Sequence, residues 1–188
     1  MIKSYLAALG ETMRKLTVDP TYPPIFEEIA GQLSLALASD GKILLAGNGG
    51  SAADCQHLAG ELVVRFRADR LALPAIALTV DTSVLTACLN DFGPEMVFSR
   101  QVEAIGREGD VFWAFSTSGN SRNILTACES ARQKGMKVIG FTGQDGGILS
   151  KVSHLCFQAP SNITSHIQEC HIAVGHMMCL ELESRLFG

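Results

Sequence analysis

His57 and Glu61 are the first residues in the sequence whose types and spacing suit proton transfer. They end the segment KILLAGNGGSAADCQHLAGE, residues 42–61, in which an apolar run stops at three glycines and a serine. On a helix predicted over 51–64, an imidazole and a carboxylate four residues apart lie on the same face. Such a pair can serve as general acid and base. An ordinary surface pair is the alternative for these two residues taken alone.

Gln168 and His176 form a second candidate pair, on a helix predicted over 163–186. Eight residues apart, they are separated by about 12 Å along the axis and face within about 80° of each other. They interrupt an otherwise apolar pattern. A histidine on such a face is typically hydrogen-bonded in a core or interface, so this helix alone favours a structural role for His176.

Two strand–helix junctions have compositions suited to an anion. In GNGGS, residues 47–51, glycines let a ligand approach the backbone, and the helix start offers free N–H groups. In STSGNS, residues 116–121, four hydroxyls surround one glycine and can hold a phosphate without a lysine. Neither spacing fits the common nucleotide-binding motifs. A tight connection or a helix cap would explain either junction alone, but two on one sheet predict a phosphorylated small molecule between them.

The elements that position these residues follow from short apolar runs typical of strands buried on both faces. These runs are 42–47, 74–80, 110–116, 137–143 and 154–160. Predicted helices alternate with them at 51–64, 82–90 with 94–104, 121–134 and 163–186. This alternation predicts a three-layer αβα sandwich with a parallel five-stranded, flavodoxin-like sheet, whose ligands bind beyond the carboxyl ends of the strands.

Two further helices are predicted over 2–17 and 25–39, for packing or oligomerisation. No linker, repeat or low-complexity segment is evident. We therefore expect one domain over 1–188, with 1–40 forming the N-terminal helices.

Composition excludes several function classes. The 188 residues are 47% hydrophobic and 18% charged, with a net charge of -4, which is typical of a globular chain. A mildly acidic chain without a Lys/Arg run is a poor candidate for binding nucleic acid or an anionic membrane. No apolar run is long enough to cross a membrane and no signal-peptide layout is present, so a cytoplasmic location is expected. Six cysteines without C-x-x-C spacing predict buried, reduced thiols.

Five motifs together resemble the phosphoheptose isomerase (sedoheptulose 7-phosphate isomerase) family, built on the sugar isomerase (SIS) domain. They cover the chain in order from about residue 41. The motifs are AGNGGSAADCQHLAGEL, PAIALTVDTSVLTACLNDFG, FSRQVEAIGREGDV, STSGNS and IQECHIAVGH. The resemblance implies an aldose–ketose isomerase of bacterial heptose biosynthesis. This enzyme would convert sedoheptulose 7-phosphate to D-glycero-D-manno-heptose 7-phosphate through an enediol or enediolate.

The resemblance also implies roles for individual residues. Glu61 and His176 would be the catalytic acid/base pair, which replaces the structural interpretation of His176. One zinc ion per subunit is implied, with ligands His57, Glu61, Gln168 and His176. The implied substrate-binding residues are Asn48, Gly49, Gly50, Ser51, Glu61, Arg65, Asn90, Asp91, Ser116, Thr117, Ser118, Ser121 and Gln168. The hydroxyls of 116–121 would take the phosphate, and the others would surround the sugar. Asn90 and Asp91 alone could be plain turn formers.

The family further implies a homotetramer with sites at subunit interfaces. The alternative is a non-catalytic SIS binding module resembling the initiator-associating protein of bacterial replication, which lacks the intact acid/base pair found here. Other SIS enzymes and sugar-phosphate sensors usually carry an additional segment. The sequence departs from the family pattern at Ser165 and His166, which bears on the sugar tail or the subunit interface. His154, His166 and His171 are expected to be structural.

Overall fold

A five-stranded parallel sheet forms the centre of the computed structural model, which describes residues 1–188. Its strands are β1 (Ile43–Ala46), β2 (Ala75–Ala77), β3 (Val111–Phe115), β4 (Lys137–Thr142) and β5 (Leu155–Gln158). Their order across the sheet is β2–β1–β3–β4–β5, and every neighbouring pair is parallel. Ala46 pairs with Ala114, so β1 and β3 end side by side at the same edge. The two junctions 47–51 and 116–121 therefore leave the sheet as neighbours.

Eight helices surround the sheet, and a 3₁₀ turn over Pro94–Met96 lies among them. The helices are α1 (Ile2–Val18), α2 (Tyr22–Ala38), α3 (Gly50–Val63), α4 (Thr82–Asp91), α5 (Ser99–Ile105), α6 (Arg122–Gln133), α7 (Leu149–Val152) and α8 (Thr164–Phe187). None is both long and apolar enough to cross a membrane.

The apolar strands bury both faces in two separate cores. Ile43 and Leu45 face one core, which α2, α3 and α8 complete. Leu44 and Ala46 face the other, which receives side chains from α4, α5 and α6. This arrangement explains why the strands read as continuous apolar runs rather than alternating ones. The predicted three-layer αβα sandwich is confirmed.

Beyond small shifts at element ends, the structure differs from the sequence-based expectation in three places. The helix predicted over 94–104 is divided into the 3₁₀ turn Pro94–Met96 and the helix α5, Ser99–Ile105. The strand predicted over 74–80 is only three residues long, because the chain turns away after Ala77. The one-turn helix α7 was not predicted at all. It is too short to show helical periodicity.

The six cysteines are free thiols, and five of them are buried. Burial raises the pKa of the Cys128 thiol to about 12, so this side chain stays protonated and behaves as a small apolar group.

The three histidines expected to be structural each lie beside a polar group of another element. His154 Nδ1 accepts the Val138 N–H at 2.9 Å. His171 is buried, and its Nε2 donates to the Thr142 carbonyl at 3.1 Å. His166 is buried against α1, where its Nδ1 lies 3.5 Å from Thr12 Oγ1.

Candidate active site

His57, Glu61 and His176 come together where α3 packs against α8. The two imidazole Nε2 atoms are 2.8 Å apart. His57 Nε2 also lies 3.4 Å from Glu61 Oε1. The three ligand-type atoms lie within 4.8 Å of one another, although His57 and His176 are 119 residues apart in the chain. We call this group the His57–Glu61–His176 cluster.

A missing side chain lets the two helices approach closely at this point. A Cβ atom added to Gly175 on α8 would lie 2.6 Å from Leu58 Cδ1 on α3. Leu58 is fully buried, so its side chain fills the space that Gly175 leaves. Because these two residues directly adjoin His57 and His176, their contact sets the separation of the two imidazoles.

The surroundings of His176 favour its neutral form. Burial lowers the pKa of His176, nearby His57 lowers it further, and Glu61 opposes both effects. The Phe66 ring stacks on the imidazole, with centroids 5.4 Å apart and planes 18° apart. A neutral imidazole can accept a proton or bind a metal ion.

The cluster has the donor set of a metal site. Two imidazoles and a carboxylate suit zinc, and three protein ligands leave a position for water or substrate. The structure thus contains a possible His/Glu/His metal site.

Gln168, predicted as a fourth ligand, lies elsewhere on α8. Its Nε2 would be 2.5 Å from a Cβ atom on Gly50, which places its amide against the first turn of α3. This position is about two helical turns from His176.

The first junction is shaped by its glycines. A Cβ atom on Gly47 would lie 2.7 Å from the Ser51 carbonyl oxygen, so only glycine fits the turn out of β1. Gly49 has a φ of 55°, in the left-handed region. Asn48 is exposed, whereas Ser51 is buried in the start of α3, where its N–H donates to the Asn48 carbonyl at 3.0 Å.

The second junction is held by its own polar groups. Ser116 Oγ and Ser121 Oγ are 2.9 Å apart. Ser118 Oγ accepts the Asn120 N–H at 3.1 Å. The first two backbone N–H groups of α6, on Arg122 and Asn123, have no acceptor within the chain. Free amides beside hydroxyls at a helix start suit an anion.

Two cavities flank these junctions. One of about 350 Å³ is lined by Thr117, Ser118, Asn120, Gly143, Asp145, Gly146, Asn162, Thr164 and Ile167. The other, of about 380 Å³, is lined partly by Asn48, Gly49 and Asn123. Larger cavities lie beside α2 and α6, but no predicted site residue lines them. We therefore assign them no part in the proposed site.

Comparison with known proteins assigns the chain to a family. Residues 4–143 match the SIS domain family. The phosphoheptose isomerase of Burkholderia pseudomallei (strain K96243) is 48% identical over 187 residues, which covers 100% of this chain and 95% of that protein.

The chain belongs to the phosphoheptose isomerase family.

Solved structures of phosphoheptose isomerases agree with this assignment. The Neisseria gonorrhoeae structure has a TM-score of 0.89 at 41% identity, covering 98% of this chain and 100% of that one. The Francisella tularensis structure has a TM-score of 0.93 at 35% identity, covering 97% of this chain and 96% of that one. The resemblance drawn from the five motifs is confirmed.

Three other residues predicted for a phosphoheptose isomerase site are exposed in the single chain. Arg65 is exposed in the turn after α3. Asn90 and Asp91 are exposed at the end of α4, where Asn90 Nδ2 donates to Asp91 Oδ1 at 2.7 Å. Their roles stay predictions.

Two polar residues near the predicted site were missed by the sequence analysis. Asn123 exchanges two amide hydrogen bonds with Asn48, at 2.8 and 3.0 Å, and so joins the two junctions. Asp54 lies three residues before His57, and its buried Oδ2 has no partner. Burial, followed by the nearby charge of Glu169, raises the pKa of Asp54 to about 6. The i, i+3 spacing from His57 was the only signal for Asp54.

Proposed function

We propose that this chain is an aldose–ketose isomerase that converts sedoheptulose 7-phosphate to D-glycero-D-manno-heptose 7-phosphate. The observation that carries the proposal is the meeting of a carboxylate with two imidazoles in the His57–Glu61–His176 cluster. Family membership narrows the substrate to a phosphorylated heptose.

The proposed chemistry moves one proton between neighbouring carbons. Glu61 takes the proton from C1 of the open-chain ketose, giving an enediolate, and returns it to C2. His176 moves a proton from the oxygen on C1 to the oxygen on C2, and it assists ring opening. In this scheme the carboxylate transfers the carbon-bound proton and the imidazole transfers the oxygen-bound proton. The two transfers therefore use groups of different basicity.

The proposed phosphate site is the second junction. Ser116, Thr117, Ser118 and Ser121 supply hydroxyls, and the free amides at the start of α6 add N–H donors. The remaining predicted substrate-binding residues are proposed to surround the sugar. They are Asn48, Gly49, Gly50, Ser51, Asn90, Asp91, Arg65 and Gln168.

The proposed metal is zinc, one ion per chain. His57, Glu61 and His176 supply a suitable donor set, and Gln168, whose amide lies against the first turn of α3, would have to swing toward them to serve as the predicted fourth ligand. A bound zinc ion would supply Lewis-acid polarisation of the substrate carbonyl. We expect the purified protein to contain about one zinc ion per chain, and His57→Ala to lose it, as measured by elemental analysis.

The proposed assembly is a cytoplasmic homotetramer whose chains each fold as one domain. Exposed apolar side chains support association: Val64 is 71% exposed, Leu71 79% and Phe92 56%. Light scattering should give about four times the 20.1 kDa chain mass.

The activity is tested by mixing the purified protein with sedoheptulose 7-phosphate and following the aldose by ¹³C NMR, with and without a chelator. We expect conversion by the wild type and a loss of about 100-fold or more in Glu61→Gln, since general acid–base catalysis contributes this much. Glu181→Gln, the same change at an exposed position on α8, is the control and should keep normal turnover.

Near-normal turnover in Glu61→Gln would remove Glu61 from the proposed chemistry. No conversion by the wild type in either condition would favour the non-catalytic binding module instead.

A further inference from the structure

A buried carboxylate lies on α8 seven residues beyond His176. Glu183 is only 5% exposed. Its two oxygens accept the backbone N–H groups of Phe66, Arg67 and Ala68 at 2.9, 3.0 and 3.0 Å. The turn that follows α3 is therefore tied to α8 by three hydrogen bonds to a single side chain.

Arg70 completes this arrangement from the other end of the turn. Its Nε donates to Glu183 Oε1 at 3.1 Å, and both side chains are almost fully buried. Its Nη1 and Nη2 donate to the Leu62 and Glu61 carbonyls at 2.7 and 2.8 Å. These carbonyls belong to the last turn of α3, where a helix leaves acceptors without partners inside the helix. The Leu62 carbonyl also accepts the Leu73 N–H at 3.1 Å, so Arg70 adds a second donor there and a donor to the Glu61 carbonyl. A cation at this end of a helix is stabilised by the helix dipole.

The segment held in this way, 66–70, contacts the cluster directly. Phe66, whose N–H donates to Glu183, stacks its ring on the His176 imidazole. Arg70 holds the main chain of Glu61 itself. The pair thus joins the end of the helix carrying His57 and Glu61 to the helix carrying His176.

The carboxylate of Glu183 stays charged in this position. Burial alone would raise the pKa of Glu183, but three backbone donors and Arg70 outweigh burial and hold the pKa below its ordinary value. A charge kept in a buried place must be fully hydrogen-bonded, and removing one partner is costly. The nearby Arg185–Glu181 pair is different, because it lies at the surface with a separation of 3.4 Å.

We propose that Glu183 and Arg70 are positioning residues for the isomerisation: they hold 66–70 so that Phe66 packs on His176 and the end of α3 keeps Glu61 in reach of the substrate. This role rests on the proposed function. Neither residue contacts the proposed phosphate site, so their loss should slow turnover without weakening substrate binding.

Glu183→Gln is the most informative change. The amide keeps the size of the side chain, but it offers one acceptor oxygen in place of two and turns an N–H₂ group toward backbone donors. We expect kcat to fall about 10- to 100-fold with KM within about twofold, because displacements of the order of 1 Å at a reacting group have effects of this size. Glu181→Gln is the matched control and should leave both constants unchanged.

A second readout follows the geometry directly. In NMR spectra of protein labelled with ¹³C at histidine Cε1, the chemical shift of the His176 signal should be displaced by the ring current of Phe66. The Phe66→Leu variant gives the chemical shift of this signal in the absence of the ring current. In Glu183→Gln we expect the signal to move more than halfway toward the Phe66→Leu position. In Glu181→Gln it should stay at the wild-type position.

If Glu183→Gln does not fold, Arg70→Lys replaces it in both measurements. Lysine keeps the charge but cannot reach Glu183 and both α3 carbonyls together. Wild-type kcat and an unmoved His176 signal in the folded variant would overturn the proposal. If the wild type did not isomerise the heptose phosphate, the proposed function would fail, but the His176 signal would still report whether the pair positions Phe66.

Discussion

Ser118 shows how a neutral side chain can serve a charged ligand. Its hydroxyl already accepts the Asn120 N–H, so its own proton is free to be donated into the cavity that it lines. Hydroxyls and amides can hold a phosphate while the chain as a whole stays acidic. For this reason the net charge of a chain does not predict whether the chain binds small anions.

We predict that Ser118→Ala raises KM for the heptose phosphate about 10- to 100-fold and leaves kcat nearly unchanged. A hydrogen bond to a charged group is worth roughly 1.5–3 kcal/mol, and the phosphate lies away from the reacting carbons. Steady-state kinetics test this, with Ser4→Ala as the same change at an exposed position outside the cavity lining. Inorganic phosphate should inhibit the Ser118→Ala variant more weakly in the same proportion. A normal KM would exclude Ser118 from the phosphate site.

The sequence predicts which residues have suitable chemistry for the site better than it predicts which of these residues contact each other. The four-residue spacing of His57 and Glu61 predicted that both lie on one face of α3, and in the structure His57 Nε2 is 3.4 Å from Glu61 Oε1. Helical periodicity alone could not pair them with His176, because it defines a face and not the helix that covers it, and only the family resemblance implied this pair. Asn123 was missed for the same reason, since its partner Asn48 lies 75 residues away.

The contact between α3 and α8 decides whether the cluster can form. Gly175 and Leu58 allow these helices to approach beside the two imidazoles. The Glu183–Arg70 pair then joins the helices beyond the cluster. The relative position of two helices is therefore part of the proposed active site.

We predict that Gly175→Ala separates the two helices. The added methyl group would meet the buried Leu58 side chain, and overpacking of this kind costs about 1–3 kcal/mol. Turnover should fall together with the free energy of unfolding, which denaturant titration measures.

The matched control is Gly31→Ala. Gly31 lies inside α2 with nothing within 4 Å of an added Cβ atom, so alanine should stabilise this helix by up to about 1 kcal/mol. Equal effects of the two changes would show that helix propensity, and not the α3–α8 contact, explains the result for Gly175.

The secondary structure was largely predictable, and its exceptions have physical causes. Five apolar runs gave five strands because a parallel sheet covered by helices buries both faces. Helix α7 was missed because four residues carry no period. The Glu183–Arg70 pair was missed because a buried ion pair between residues 113 positions apart leaves no local pattern.

Across the molecule, α8 links the proposed site to the main core. His176 lies on one side of this helix, while His171 is buried among Phe115, Phe141 and Phe157. Burial lowers the pKa of His171 to about 4, although its hydrogen bond to the Thr142 carbonyl opposes this effect. Its Nδ1 has no partner.

This pKa predicts a loss of stability in acid. Between about pH 6.5 and 4 the unfolded chain protonates His171 and the folded chain does not, so the free energy of unfolding falls as the pH falls. The decrease is about 1.4 kcal/mol per pH unit, or about 3 kcal/mol in all. Above pH 6.5 both states are neutral at His171, and its contribution no longer changes.

Denaturant unfolding of wild type and His171→Gln across pH 4 to 7 tests this prediction. The difference between the two proteins isolates His171, because Asp54, whose raised pKa of about 6 acts in the opposite direction, is present in both. We expect the variant to be less stable at pH 7 and to lose less stability in acid. Parallel pH profiles would contradict the prediction.

The most direct test of the central claim, that Glu61 moves the carbon-bound proton, is to run the isomerisation of sedoheptulose 7-phosphate in D₂O and locate deuterium in the aldose by NMR. We predict deuterium at C2 with the wild type, because a carboxylate exchanges its proton with solvent before returning it, and a rate at least about 100-fold lower with Glu61→Gln. An aldose formed by Glu61→Gln at the wild-type rate and with the wild-type deuterium content at C2 would contradict the account.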